Sequence, residues 1–480
     1  MDYFALEGKW WLPHDPSHEV SGTLTFDADG VNLVVYDSLR RFEAPEVRVV
    51  HSRVESVTEP VVLGRARDGR AVTLFDVSGL SMAGPFRDVT EDYRVRLALV
   101  GIHTATDLIR QAWCEFDYLE PWVNPDSIFE YDGDDHLRLR WNTPEELSNT
   151  VLENQTIRVM VGSSGTAGES GVHFDRWTAF AVDPSKPLAT QDLLSESIRP
   201  LQDLLVFAIG RPVRITSLRL VPADTADGDG SGEAFFNAIQ PRPSPSRQPS
   251  WGDLIMYSAP TILTPKDSSL DIAELLRRWF ELRDRHPRTL SLLLTPFYAP
   301  FMYTEHAFAS MYQSAEKLRS RLSGREQATK DHRARVEAII SAAIAAGIDE
   351  EHTQWARRIL IGRNDKAMHD IITEVVESAG PVGAAVLNAA PEFGKTVTDA
   401  RVGVAHPTTR RLDAVGLYWH GQALWWVVRT RLLMELLGDD AAIRVAKREP
   451  FRETVRRIAT QEHGSPEEAL EGAAERTFTT

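Results

Sequence analysis

The sequence predicts a multidomain α+β protein with a β-rich first half and an all-α second half. Through the first half, apolar and polar residues alternate with a period of two between closely spaced turn signals. In the second half, apolar residues recur every three or four positions. These are the periods of a half-buried strand and of an amphipathic helix. We predict a β-rich domain over residues 1–240, a linker over 241–269, a helical domain over 270–445 and a charged tail or peripheral helix over 446–480.

A hairpin is the clearest element of the first half. In SGTLTFDADGVNLVVY, Leu24 and Phe26 alternate with polar residues before Asp29-Gly30, and the alternation resumes through Leu33. An Asp-Gly pair favours the tight turns that join antiparallel strands. VVLGRARDGRAVTLF repeats the pattern, and further strands are predicted in DYRVRLALV, HLRLRWN, TIRVMV and VRITSLRLV. This many short strands predicts a sandwich or a barrel-like sheet.

The second half begins after a break in composition. The stretch QPRPSPSRQPS is too rich in proline and polar residues to bury much apolar surface, so we place the linker there. From about Asp271 the helical period takes over, as in Phe308, Met311 and Ala315. A long apolar helix then follows Leu412 and is predicted to stop at Gly438. An all-α bundle is therefore expected.

Length, charge and cysteine usage limit the classes of function. The chain has 480 residues and a net charge of -16, so binding of nucleic acid requires a local basic patch. Cys114 is the single cysteine, which excludes an internal disulfide and a cysteine-ligated zinc site. No run approaches the ~20 apolar residues of a membrane span, and the N-terminus lacks a signal-peptide pattern. We expect a cytoplasmic protein with no membrane partner, metal or cofactor.

Three stretches imitate ligand-binding motifs. AAPEFGKT places Gly394, Lys395 and Thr396 as in a phosphate loop, but it follows a helical stretch and contains a proline without an N–H, so we predict a helix-to-helix connection. DGDGSG, from Asp227, lacks the glutamate that closes a calcium loop. HDPSH has a proline between its two histidines, which disrupts the helical face of a zinc motif and predicts a turn.

Two arginine-histidine pairs remain. In TDARVGVAHPTTRR, Arg401 precedes His406 by five residues, and in RNDKAMH, Arg363 precedes His369 by six. These spacings are about 140° and 120° around a helix axis, so neither pair shares a face of a regular helix. Pro407 indicates a helix end at the first pair, where a distorted turn can bring the two side chains together. The second pair lies in a regular amphipathic pattern and is predicted to be solvent-exposed.

Such a pair has the chemistry for cleaving RNA without a metal. A neutral histidine can take the proton of a ribose 2′-hydroxyl, and an arginine can neutralise the charge that grows on the phosphorane. The products are a 2′,3′-cyclic phosphate and a 5′-hydroxyl. Arg410, Arg411 and Lys395 are candidate phosphate contacts, and Glu316 is a candidate acidic partner for the arginine.

The surroundings of the first pair resemble a known family. An all-α domain in which R-x4-H precedes a final apolar helix ending in LLMELLG resembles the HEPN ribonucleases, whose motif is R-x4-6-H, over about residues 270–440. Residues 6–36, LEGKWWLPHDPSHEVSGTLTFDADGVNLVVY, resemble the start of the N-terminal domain of ApeA-type proteins, which join that domain to a HEPN domain.

These resemblances imply a function for each half. They imply a bacterial anti-phage defence protein that acts by abortive infection, with a homodimeric HEPN endoribonuclease. Its catalytic residues are Arg401 and His406. The implied substrate is RNA, with transfer RNA as a candidate because cleaving it stops translation. The N-terminal domain is expected to respond to a phage-derived trigger.

Alternatives stay open. HEPN ribonucleases commonly carry a polar residue, often asparagine, directly after the arginine, and this chain has Val402 there. The first alternative is therefore a catalytically inactive HEPN dimer that binds RNA or a protein. Arg363-Asn364 supplies the asparagine in the rival pair. The second alternative is a carbohydrate platform made by Trp10 and Trp11 of the β-rich half.

Overall fold

The structure is a computed structural model that describes residues 3–27, 29–41, 53–83, 90–124, 129–132, 136–139, 145–168, 171–225, 230–236, 261–266, 268–299, 302–319, 325–362, 368–405 and 412–463. Its contacts divide the chain into two compact units. The first comprises Met1–Ile255 and Leu263–Arg277, and the second comprises Met256–Ile262 and Arg278–Thr480. Every described strand lies in the first unit, and every described helix from Pro287 onward lies in the second. The predicted division into a β-rich and an all-α half is confirmed.

The first unit is built on antiparallel strands. In chain order they are β1 Phe4–Trp11, β2 Val20–Asp27, β3 Gly30–Val35, β4 Arg53–Ala66, β5 Ala71–Ala83, β6 Glu91–Val100, β7 Leu108–Phe116, β8 Phe129–Asp132, β9 His136–Leu139, β10 Glu145–Val151, β11 Gln155–Gly168, β12 Gly171–Pro184, β13 Leu188–Ala189, β14 Ile215–Pro222 and β15 Gly232–Phe236. β8 and β9 pair with each other, and the other thirteen strands form one sheet.

The first six strands close into a barrel. Neighbours follow the order β6-β3-β2-β1-β4-β5, and β5 also pairs with β6, so the described strands form a closed ring. Inward-facing side chains fill the ring, and Trp10, Leu24, Val62 and Tyr93 are no more than 1 % exposed. Closure pairs the backbone N–H and C=O groups that an open edge would leave to solvent.

The two predicted hairpins shape this barrel. β2 and β3 pair in the register Leu24↔Leu33, and the turn between them includes Gly30 at φ 109°. β4 and β5 are joined through Gly69 at φ 90°. Residues with a side chain rarely adopt such positive φ values, so glycine is needed at both turns. Both hairpin predictions are confirmed.

The remaining strands extend the sheet beyond the barrel. From β6 the order continues through β15, β14, β7, β12 and β11 to β10. In the described ranges three short helices accompany the strands: α1 Leu119–Val123, α2 Thr190–Leu193 and α3 Arg199–Ile209, with a π-helical turn, Leu194–Ile198, joining α2 to α3. The indole Nε1 of Trp122 donates to the carbonyl of Leu263 at 2.9 Å. The described C-terminal end of the predicted linker is therefore ordered within the first unit.

The second unit is a helical bundle. Its helices are the C-terminal part of α4 Ile272–Arg285, then α5 Pro287–Tyr298, α6 Thr304–Arg319, α7 Arg325–Ala345, α8 Glu350–Gly362, α9 Met368–Glu377, α10 Pro381–Ala389, α11 Phe393–Ala405, α12 Ala414–Leu437, α13 Asp440–Ala446 and α14 Glu449–His463. No helix in the described ranges is both long and apolar enough to cross a membrane.

α12 is the central helix of the bundle. It is apolar around most of its circumference, which is the pattern of a buried helix rather than of a surface helix. Leu424, Trp426, Val427 and Leu433 are no more than 2 % exposed, and α6, α13 and α14 pack along it. The helix begins after Asp413, whose carboxylate accepts a hydrogen bond from the Gly416 N–H at 2.7 Å.

α14 lies in the segment predicted to be a charged tail or a peripheral helix. Its apolar face is buried, because Phe451 and Ile458 are no more than 1 % exposed. The ring of Phe451 contacts Trp426 of α12 edge-on, with 5.9 Å between centroids. Residues 449–463 are thus a helix of the bundle with a charged outer face.

Candidate functional site

Arg401 lies on the exposed side of α11, near the C-terminal end of that helix. The buried residues Phe393, Val397 and Ala400 follow each other by four and three positions along one face. Arg401 is the next residue, about 100° further around the axis. It therefore stands at the margin of the buried face, where its side chain reaches both solvent and the neighbouring helix.

A glycine brings α11 close to α9. A Cβ on Gly394 would lie 2.2 Å from Thr373 Oγ1 and 2.6 Å from the carbonyl oxygen of His369, so a larger residue would push the helices apart. Lys395, a predicted phosphate contact, is exposed on the first turn of α11 with its Nζ 3.3 Å from Glu392. The sequence that imitates a phosphate loop is therefore the predicted connection between two helices.

Two polar side chains of α6 and α11 meet at one hydroxyl, and a charged residue lies on the same face of each helix. Tyr312 Oη lies 3.3 Å from Thr398 Oγ1. Glu316 is one turn after Tyr312 on α6, and Arg401 is three residues after Thr398 on α11, so each shares a helix face with its neighbour. We call Tyr312, Glu316, Thr398 and Arg401 the α6–α11 polar cluster.

Burial is the main influence on the pKa of Tyr312, and both charged members contribute to it. Burial raises the pKa of Tyr312, and the hydrogen bond with Thr398 lowers it. Glu316 raises it further, whereas Arg401 lowers it. The net effect is a raised pKa, so Tyr312 is a neutral phenol at physiological pH. The carboxylate and the guanidinium lie within electrostatic reach of the same buried group.

The structure brings together two of the predicted site residues. Within this cluster Glu316 is half-buried, while Arg401 remains exposed. Within the described residues no ion pair joins the two, and both contribute to the pKa of Tyr312. His406, Arg410 and Arg411 lie outside the described residues. Their roles stay predictions.

The rival histidine is on the surface. His369 lies in the first turn of α9 with its side chain 48 % exposed and its Nε2 3.2 Å from Asp370. Its predicted partners Arg363 and Asn364 lie outside the described residues. The position of His369 agrees with the solvent-exposed helix face that the amphipathic pattern predicts.

The burial of Trp10 and Trp11 excludes the predicted carbohydrate-binding platform. Trp10 is 0 % and Trp11 6 % exposed, so neither indole offers a free face on which a sugar ring could stack. The edge of Trp11 also packs against His103, with 5.6 Å between ring centroids. That alternative is wrong.

The other two motif-like stretches give no site either. HDPSH forms the predicted turn, in which the Asp15 N–H donates to the Leu12 carbonyl at 2.9 Å. The Nε2–H of His18 donates to the Ser38 carbonyl at 2.9 Å. Asp227 and Asp229, of the calcium-like stretch, lie outside the described residues.

A buried histidine that the sequence did not single out lies between α11 and α12. His420 is 1 % exposed and stacks on Phe393 with 5.6 Å between ring centroids. Its Nδ1–H donates to the Gly416 carbonyl at 2.9 Å, and its Nε2 has no hydrogen-bond partner in the described part of the chain. Burial lowers the pKa of His420 more than Gly416 and Glu462 raise it. The imidazole is neutral and forms part of the packing of α11 on α12.

Tyr312 and Thr398 are members of the cluster that sequence reasoning missed. Each carried a weak signal, because Tyr312 precedes Glu316 by four residues and Thr398 precedes Arg401 by three. The contact between them joins residues 86 positions apart. Periodicity shows which face of each helix is buried but not which helix it meets.

Comparison with known proteins identifies a family for the first half of the chain. Residues 6–279 match the family model described as ApeA N-terminal domain 1. No curated protein and no solved structure matches the chain at a significant level. The matched region contains all of the described strands except the first two residues of β1, and it is more than half of the 480 residues. The chain therefore belongs to the family defined by the ApeA N-terminal domain 1.

Proposed function

We propose that the protein is an anti-phage defence effector whose helical unit is a metal-independent HEPN-type endoribonuclease. Membership of the ApeA N-terminal domain family supports the defence role. The position of Arg401 carries the nuclease assignment. It lies on α11 and contributes to the pKa of the buried Tyr312 hydroxyl, and α12, the central helix, follows α11 in the chain. That order matches the R-x4-H motif before a long apolar helix, with α13 and α14 following α12 here.

In the proposed reaction Arg401 and His406 have separate roles. His406 accepts the proton of a ribose 2′-hydroxyl, and the 2′-oxygen attacks the adjacent phosphorus. The bond to the 5′-oxygen breaks, and that oxygen takes up a proton to leave as a 5′-hydroxyl. Arg401 neutralises the negative charge on the phosphorane. Tyr312 orients the guanidinium, and Arg410, Arg411 and Lys395 attract the flanking phosphates.

The proposed enzyme is a homodimer that acts on RNA, with transfer RNA as a candidate. In a two-fold symmetric pair the same surface of each subunit meets its copy, so motifs near that axis combine into one composite site. Two arginines and two histidines then surround a single phosphate.

We propose that a groove on the barrel binds the phage-derived trigger. The outer face of β1, β2 and β4 forms a groove of about 480 Å³, lined by Glu7, Gly8, Lys9, Glu19, Ser21, Gly22, Thr23, Tyr36, Arg65, Ala66 and Arg67. Lys9 Nζ donates to Ser21 Oγ at 2.8 Å, and Tyr36 is 60 % exposed at the rim. Charged groups of both signs beside an aromatic ring suit a polar peptide segment of a phage protein. Its binding relieves restraint on the helical unit.

Incubation of the purified full-length protein with RNA in EDTA tests the nuclease assignment. The wild type is expected to produce fragments with 2′,3′-cyclic phosphate ends, which mass spectrometry identifies as one water lighter than linear phosphate ends. Arg401→Ala and His406→Ala should lower the rate by at least about a hundredfold, because each removes a group that acts in the transition state.

Matched variants separate this site from its rivals. Arg333→Ala changes an exposed arginine of α7, and His369→Ala changes the rival histidine; both should cleave like the wild type. Cleavage that needs His369 but not His406 would transfer the assignment to the rival pair. Loss of cleavage in EDTA would overturn the metal-free chemistry. RNA binding without cleavage under any activating condition would favour the inactive binding module that Val402 suggests.

A further inference from the structure

The C-terminal end of the bundle concentrates positive charge. Between Arg444 and Arg457 the chain has six basic and two acidic residues, although its net charge is -16. The basic residues are Arg444, Lys447, Arg448, Arg452, Arg456 and Arg457. Three of them, Arg452, Arg456 and Arg457, are exposed on α14. Because the apolar face of α14 is buried, this charge is directed outward.

Acidic neighbours neutralise only part of this charge. Glu453 accepts hydrogen bonds from Arg456 at 2.7 Å and from Arg457 at 2.7 Å, so one carboxylate serves two guanidinium groups. Hydrogen bonds to Glu449 and then Glu453 raise the pKa of Arg456. Within the described residues no carboxylate pairs with Arg452. Exposed ion pairs contribute little to stability, so phosphates can replace these carboxylates readily.

Aromatic side chains lie beside the arginines. On the first turns of α12, Tyr418 is 49 % exposed and its ring lies 4.9 Å from that of half-buried Trp419. The guanidinium of Arg457 lies over the Trp419 ring, 5.6 Å from its centroid. Val415 shares this face of α12 and is 56 % exposed. The surface therefore combines cations with accessible aromatic rings.

This surface adjoins α11, the helix on which Arg401 lies. Thr396 of α11 donates to Glu462 of α14 at 3.4 Å, so the end of α14 touches the helix that bears Arg401. Tyr418 follows the segment 401–411 by seven residues. An RNA strand held on α12 and α14 can therefore continue toward Arg401.

We propose that Tyr418, Trp419, Arg452, Arg456 and Arg457, here called the α12–α14 surface, bind an unpaired segment of RNA. Unpaired bases can stack on aromatic rings while arginines bind the phosphates. In an A-form duplex the bases are already stacked on each other, so no base face is free to stack on the aromatic rings. The inference rests on the proposed RNA-directed function and assigns loops or single strands as its substrate class.

A second copy of the chain fits this surface less well. A two-fold interface places a surface against itself. The excess of positive charge on α14 would then face the same excess on the partner and repel it. Charge complementarity favours a polyanion.

Binding can be measured without cleavage in the full-length His406→Ala protein. A labelled single-stranded RNA of about a dozen nucleotides should bind more tightly than the same sequence in a duplex. Arg452→Ala with Arg456→Ala should weaken binding of the single strand by roughly tenfold and reduce the salt slope by about 1.4, because each phosphate contact contributes about 0.7. Tyr418→Ala should weaken it by roughly five- to a hundredfold with little change in slope.

Arg333→Ala with Arg335→Ala is the matched control, because it removes two exposed arginines from α7. It should leave affinity and slope unchanged. Unchanged affinity of the Arg452/Arg456 variant for the single strand would overturn the inference. The same would follow if the duplex bound as tightly as the single strand and Tyr418→Ala did not weaken binding. Loss of dimers in light scattering with RNA affinity kept would instead make this surface an interface between copies. None of these results depends on whether Arg401 and His406 cleave RNA.

Discussion

Among single residues, Tyr312 is placed to decide how Arg401 is held. Its hydroxyl is buried, pairs with Thr398 and feels the opposite charges of Glu316 and Arg401. A long guanidinium side chain at an exposed position samples many rotamers, and a misplaced charge loses much of its value in a transition state. We propose that the neutral phenol of Tyr312 limits that freedom.

We therefore expect Tyr312→Phe to lower the rate of RNA cleavage more than it lowers stability. A hydrogen bond contributes about 0.5–1.5 kcal/mol net, so the loss in kcat should reach up to about tenfold. KM should change little, because the hydroxyl is buried and does not contact bound RNA. Steady-state kinetics and thermal unfolding of the same preparation measure the two effects.

Two variants control this test. Thr398→Val removes the hydrogen bond with Tyr312 from the side of α11 and should also lower kcat. Tyr93→Phe removes a buried hydroxyl from the barrel, where it donates to Glu91 at 2.6 Å, and should lower stability with no change in kcat of the helical unit. Wild-type kinetics in Tyr312→Phe would show that the cluster only packs α6 on α11.

The candidate site was predictable in part at this scale. The resemblance to the HEPN motif selected Arg401, and Glu316 was a candidate acidic partner for it. The structure adds Tyr312 as the link between them. No local pattern could supply it, because the link depends on the contact of two helices whose residues are 86 positions apart.

At the level of helices, the packing of α11 on α12 includes a titratable group. His420 stacks on Phe393 and has its pKa lowered mainly by burial. In the unfolded chain its pKa is near ~6.5. Between the folded and unfolded values the unfolded state binds more protons, so stability rises with pH there. The stabilisation is complete above about pH 6.5 and is lost as the pH falls toward the folded value.

We expect His420→Phe to flatten this dependence. A phenyl ring keeps the stacking on Phe393 and cannot be protonated. Thermal unfolding of the helical unit from about pH 8 to about pH 5 should show a steep fall in Tm for the wild type and a shallower one for the variant. His369→Ala, which changes an exposed histidine, should keep the wild-type slope. An equal slope in His420→Phe would show that other groups set the acid sensitivity.

Sequence patterns predicted these elements better than their assembly. Asp-Gly turns located both hairpins, since glycine is needed at positive φ in each. Closure of the barrel through β5 and β6 was not predicted, because it depends on pairing that no turn encodes. The buried face of α14 was also underestimated. Its charged residues dominate the composition, while the few apolar ones, such as Phe451 and Ile458, carry the packing.

For the whole molecule, we propose that the first unit senses the trigger and the second is the effector, so that each role can be impaired separately. The groove on the barrel is lined by charged and aromatic side chains that the barrel does not need for closure. Tyr36→Ala with Arg65→Ala changes two exposed residues of this groove and should leave the barrel folded. Arg401→Ala instead removes the positive charge that is proposed to stabilise the transition state of RNA cleavage.

We expect only the wild type to protect cells from phage, and the reason for failure to differ between the variants. The groove variant should keep RNA cleavage and growth arrest when strongly overproduced, since its effector is intact, but should lose protection at native levels. Arg401→Ala should lose both. Lys186→Ala, an exposed change elsewhere on the first unit, should protect like the wild type. Full protection by the groove variant would place the trigger elsewhere, and protection by Arg401→Ala would separate defence from RNA cleavage.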